Sequence, residues 1–235
     1  AGGSTTTLTI NGTVTLTAGT FSAGTASAIN VAGDWTNNGA TFTPGSGTVT
    51  FNSTTAAQSI NGTTATKTFN NLAVNKTGQT LSAGGSTTTL TLNGTVTLTA
   101  GTFTAGTASA INVAGDWTNN GGTFTAGSGT VSLNGTAAQA IGGSAATSFN
   151  NLTVSNTAAT VSASTNFNVS GTLSISATAL LSPAAAVVIN TAAAAGTISG
   201  SGTVQVKRTA ATADYSNQYK FTTNTLTNLT VEYVG

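Results

Sequence analysis

Few side chains in this chain can take part in acid–base or nucleophilic chemistry. The carboxylates are Asp34, Asp116, Asp214 and Glu232, the cations are Lys67, Lys76, Lys207, Arg208 and Lys220, and neither His nor Cys occurs. Two carboxylates can cleave a glycosidic bond when they lie ~5–9.5 Å apart. Asp34 and Asp116 occupy the same place in an internal repeat, 82 residues apart. In coils stacked at the inter-strand spacing they would stand four coils, roughly 19 Å, from each other. The usual bases and nucleophiles are missing as well, and a Ser without a partner base is a surface hydroxyl. No enzymatic activity and no cofactor are expected.

The strings Asp34-Trp35-Thr36-Asn37-Asn38-Gly39 and Asp116-Trp117-Thr118-Asn119-Asn120-Gly121 also offer oxygen ligands. A Ca²⁺ ion takes six to eight oxygens and usually more than one carboxylate, so Asp34, Asn37 and Asn38, with Asp116, Asn119 and Asn120, are weak candidates. A turn accounts for them better, with Asp and Asn bonding their own backbone and the Gly at positive φ. Trp35 and Trp117 could be sugar platforms, but strand alternation points them inward. Rows of Thr-x-Thr on a flat solenoid face could order water. Taken at one coil register, the outward sets are Thr13, Thr15 and Thr17, then Asp34, Thr36 and Asn38, then Thr50 and Asn52, then Asn75 and Thr77. On that reading a continuous Thr ladder is not expected.

The elements that would position these groups come from a repeat. Gly2 to Thr17 returns almost unchanged from Gly84 to Thr99, Phe69-Asn70-Asn71-Leu72 returns at Phe149 to Leu152, and a degraded third copy begins near Phe167. Short alternating segments rich in Val, Ile, Thr and Phe are strands with one face buried, and Gly, Asn and Ser between them supply turns. Strand starts fall at Leu8, Ile29, Val49, Leu72, Leu90, Ile111, Val131, Leu152, Phe167, Val187, Val204 and Leu229. Spacings near 20 residues fit the coils of a parallel β-helix. The expected fold is all-β, a β-solenoid of about twelve coils of roughly 20 residues. Its units are residues 1–83, 84–163 and a degenerate 164–235. A tandem of β-sandwiches is the alternative, weakened by strand starts that continue across the copy boundaries.

Composition excludes other classes. Charged residues are 4% of the chain and the net charge is +1, too sparse for the clustered cations that bind nucleic acid. No stretch approaches the ~18 apolar residues of a spanning helix, since Ser182, Pro183, Asn190 and Thr191 interrupt the apolar segment 177–195. Ala1-Gly2-Gly3-Ser4 has the look of a mature end after signal-peptide removal, or of an artificial boundary. The segment from Lys207 to Glu232 holds Tyr215, Tyr219 and most of the charge, marking a cap, a long loop or a contact surface.

The runs Gly33 to Gly39, Gly45-Ser46-Gly47-Thr48-Val49-Thr50-Phe51 and Phe69-Asn70-Asn71-Leu72 resemble repeat regions of large secreted bacterial surface proteins, the hemagglutinin-like and autotransporter-like β-helical adhesins. The resemblance covers essentially the whole chain and implies export, an extracellular or cell-surface location, and a role in adhesion or assembly. Exposed solenoid ends present strand edges that recruit another chain. Head-to-tail self-association through Leu8 and Ile10 at one end and Leu229, Val231 and Tyr233 at the other is therefore expected, with other surface proteins or glycans as further partners. The functional expectation is a filament subunit or adhesin stalk; the alternative is an ice-binding or carbohydrate-binding β-solenoid.

Overall fold

The computed structural model describes residues 2, 4–208 and 215–234. Asp214 lies outside them. Alternation of Thr with Val, Ile, Leu or Phe over three or four residues gives short strands, and each corner turns the chain onto the next side of a three-sided coil. All strand pairings among the described residues are parallel. Consecutive coils therefore stack as a β-solenoid, and the sandwich alternative fails.

The first face stacks Thr7–Ile10, Ala28–Val31, Thr48–Phe51, 71–74, 96–98, Trp117–Asn119, Gln139–Gly142, Val161–Ala163, Leu180–Pro183, Thr203–Val206 and Thr230–Tyr233. The second stacks Val14–Leu16, Trp35–Asn37, Gln58–Asn61, 81–83, 102–104 and Thr123–Thr125, then Thr147–Phe149 and Phe167–Val169, and continues as bridges from Phe167 to Ile189 and Ile189 to Tyr219. The third pairs Thr20–Ser22 with Thr41–Thr43. It then runs as one eight-stranded sheet through Thr66–Phe69, Thr89–Leu92, Ala110–Val113, Thr130–Leu133, Asn151–Val154, Thr172–Ile175, Thr197–Gly200 and Thr223–Asn224.

The solenoid has about nine turns of some 21 residues, not twelve. One coil of the overcount has a geometric cause. Leu72 lies on the first face, whereas Leu90, the next expected start, lies on the third face of the same coil. The 82-residue unit is thus not a whole number of turns: it spans three turns and two further faces. Leu8 on the first face has its equivalent, Leu90, on the third; Trp35 on the second has Trp117 on the first; Phe21 on the third has Phe103 on the second. Each copy is rotated by one face about the rod axis.

One hydrophobic core runs through both copy boundaries, from Val14 to Leu229. Trp35 packs edge-on to Phe42 and Phe69 at 4.7 and 5.2 Å, and Trp117 repeats this with Phe124 and Phe149 at 4.8 and 5.2 Å. In the C-terminal region, Tyr215–Gln218 forms a single short helix, and Gln218 and Tyr219 are buried. The Gln218 amide donates to Ala184 O, and the Tyr219 hydroxyl donates to Gln205 O at 2.8 Å. That region is an elaborated coil that turns the polar side chains of Gln218 and Tyr219 inward together with Phe221.

Close stacking makes certain corners depend on Gly. Gly143 has φ +107°, and a Cβ there would sit 2.0 Å from Asn119 O of the coil below; its equivalent Gly62 has φ +110° and meets Asn37 O at 2.1 Å. Gly143→Ala is expected to destabilise by at least ~1–3 kcal/mol from backbone conformation alone, read as a lower urea midpoint with an unchanged slope.

Candidate functional site

The Asp-Trp-Thr-Asn-Asn-Gly strings are built as corners. Trp35 and Trp117 point inward and are 1% and 0% exposed. Asn37 and Asn119, two residues on, point inward too. Their carbonyl oxygens accept from Gly39 N and Gly121 N at 3.0 and 3.1 Å, and both glycines have positive φ. Asp34 and Asp116 sit on the outer side, where one oxygen accepts from Ser59 N and Ala140 N of the next coil, each at 2.8 Å. Asn38 accepts from Thr63 N, and Asn120 is exposed. Asp34 and Asn37 therefore lie on opposite sides of their strand, and the bonded oxygens serve backbone N–H groups within and between coils. Among the described residues no group of three or more His, Cys, Asp or Glu converges. Because the copies are rotated, Asp34 and Asp116 also stand on different sides of the rod.

Two lysines lie inside it, which charge alone gave no reason to expect. Lys76 is fully buried and its ammonium donates to Ser53 O, Ala56 O and Gln58 Oε1 at 2.9, 3.0 and 2.6 Å. Burial pushes it down to about 8, and the Asp34 charge pulls it partly back. The Gln58 amide in turn donates to Val31 O at 2.9 Å and to Gly33 O. Copy two solves the same corner without a charge. There Asn156 donates to Ala137 O and Gln139 Oε1 at 2.6 and 3.1 Å, and Gln139 donates to Val113 O and Gly115 O. The loop that Lys76 spans, 53–57, is one residue longer than its counterpart 135–138, so the longer side chain matches the longer loop. Lys67, buried and pushed downward by burial, donates to Thr64 O. Its counterpart Thr147 instead accepts from Trp117 Nε1 at 3.0 Å. The available signal was parity: Lys76 follows Leu72 and Val74 at inward positions.

The third face carries the most regular surface. On its eight-stranded sheet the outward residues align as Thr66, Thr89, Ala110, Thr130, Asn151, Thr172, Thr197 and Thr223 in one row, with Thr68, Thr91, Asn112, Ser132, Thr153, Ser174 and Ser199 in the other. Every position is Thr or Ser except Ala110, Asn112 and Asn151. Rows of hydroxyls therefore run along this face and are broken at Ala110–Val113, whose two outward residues carry none; the sequence reading compares outward residues at a register that changes face. The rotation also protects the grid. In copy one the third face is split between Thr41–Thr43 and Thr66–Phe69 by a notch of about 210 Å³. The equivalent split in copy two falls on the second face, between Thr123–Thr125 and Thr147–Phe149.

The expected assembly residues lie where the ladder of the first face ends, Leu8 and Ile10 on its first strand and Val231 and Tyr233 on its last. Tyr233 is 59% exposed, whereas Leu229 is buried at 6% and is not part of an open edge. Among the described residues no helix is long and apolar enough to cross a membrane. No family model, curated protein or solved structure matches this chain.

Proposed function

We propose that this chain is a non-enzymatic structural solenoid of the extracellular or cell-surface kind, a filament or stalk segment that extends by stacking coil on coil. The observation that carries the reading is a contrast between nearly identical sequences. Leu90, Leu92, Leu98 and Phe103 are at most 1% exposed, whereas their equivalents Leu8, Ile10, Leu16 and Phe21 are only partly buried. What the second set lacks is the coil that covers the first set, residues 66–83. The cross-section of the first coil is thus apolar, and its strand edge is shaped to stack against another coil of this kind. A second copy supplies it in this reading, through the end that carries Val231 and Tyr233. Such a contact joins two different surfaces and does not close on itself, so it propagates as a fibre. The resemblance to adhesin repeats and the low charge, which offers little repulsion between stacked ends, support the same reading.

Sedimentation and negative-stain electron microscopy across a concentration series should show single-file rods that lengthen with concentration. Leu8→Lys, checked by circular dichroism for retained β structure, should shorten them. Monomers of constant size at every concentration would overturn the proposal.

A further inference from the structure

We propose that the third face is a binding surface for an ordered water lattice, and that the protein adsorbs to ice through it. The geometry is that of a two-dimensional grid. Successive strands repeat at ~4.8 Å, and residues i and i+2 along a strand lie ~6.6 Å apart. The eight strands hold this spacing in continuous register without a bulge. Both repeats are close in size to the oxygen spacings on prism faces of hexagonal ice. Nine of the fifteen outward residues are Thr, each with a hydroxyl and a methyl, so a water can be anchored at the oxygen and caged beside the carbon; three more are Ser, and the strand Ala110–Val113 interrupts both rows.

A second observation sets this face apart. None of its Thr or Ser hydroxyls is tied to a protein partner among the described residues, so all remain free for a ligand. On the other faces some outward side chains bond each other, as Thr36 does with Asn61 at 2.6 Å and Ser182 with Gln205 at 2.6 Å, while others, such as Thr9 and Thr97, do not. The outward rows also carry no charge, since Lys67 of the first strand points into the core. A charge would hold its own hydration shell out of register with a lattice. An uncharged hydroxyl grid also suits the surface of a crystalline polysaccharide. That ligand is disfavoured because no aromatic ring stands on the grid to stack on sugar, both Trp being buried.

The inference does not rest on the filament reading, because a monomer carries the whole grid. The experiment uses the full chain in three arms: thermal hysteresis with observation of crystal shape, partition into a slowly grown ice front, and pull-down on microcrystalline cellulose and chitin. The wild type should facet ice and enter the front. Thr91→Tyr and Thr153→Tyr, which alter outward positions and leave the core intact, should abolish both effects at unchanged thermal stability. Thr97→Tyr, on the first face, should leave them intact. Spherical ice growth with exclusion from the front would overturn the proposal. So would ice activity equally insensitive to all three substitutions, or retention on a polysaccharide without any effect on ice.

Discussion

Trp117→Ala will lower stability by ~3–5 kcal/mol, the range for removing a large aromatic from a packed core. The indole is fully buried between the Phe124 and Phe149 rings, and its N–H donates to Thr147 Oγ1. Truncation therefore opens a void, breaks two edge-on aromatic contacts, and removes a donor from a buried hydroxyl that retains only the Asn119 amide at 3.3 Å. Coils contact only their neighbours, so the damage should stay local. Hydrogen exchange should show lost protection in the strands from Val96 to Val169, while Ala28–Val31 and Thr48–Phe51 keep theirs. Trp35→Ala should cost less, although the two strings are identical. Its neighbours Phe21 and Phe42 are only partly buried, so that end can collapse around the missing ring. Equal losses for the two variants, measured by urea unfolding, would contradict the view that neighbouring coils set the energy.

That pair of Trp residues shows what the sequence reveals and where it stops. Strand parity puts both indoles inside and predicts the turn that follows them, because period-two alternation is a local property. The same local pattern identifies the solenoid, its short strands and the positive-φ glycines of the corners. What local pattern does not carry is the face to which a strand belongs. Corners differ in length, so a start at Leu72 and a start at Leu90 look like successive coils although they are two sides of one. That slip adds one coil to the count. It also hides the hydroxyl grid, since Thr68 and Thr91 become neighbours only once both strands are placed on the third face. The buried lysines were missed for a different reason. Charge argued for solvent, but the carbonyls of a long loop needed a donor from inside, and a four-carbon stem reaches them.

The stability of wild-type protein will therefore rise between about pH 8 and pH 10. Lys76 titrates near 8 in the folded chain and at 10.5 when exposed. Between those values the unfolded chain binds more protons at this site than the folded one, so raising the pH favours folding. Below about 8 both forms are charged and the burial penalty is fully present. Lys67 is shifted in the same direction by burial and adds to the slope. Above about 10 the trend reverses, because burial and neighbouring phenols push Tyr215 and Tyr219 upward and the folded chain then holds the extra protons. Lys76→Met separates the ammonium from its stem. It should flatten the slope between pH 8 and 10, yet cost ~1–3 kcal/mol at pH 7 by leaving the buried carbonyls of Ser53 and Ala56 without that donor, Gln58 Oε1 keeping only the Ser53 N–H at 3.1 Å. Joining Lys76→Asn to deletion of Ser53 and Thr54→Gly transplants the copy-two corner, whose Gly135 has no room for a Cβ against Ala114 O, and should recover that loss while keeping the slope flat. Melting temperatures of the three proteins across this range decide the matter: a Lys76→Met protein with the wild-type slope would place the ammonium in solvent.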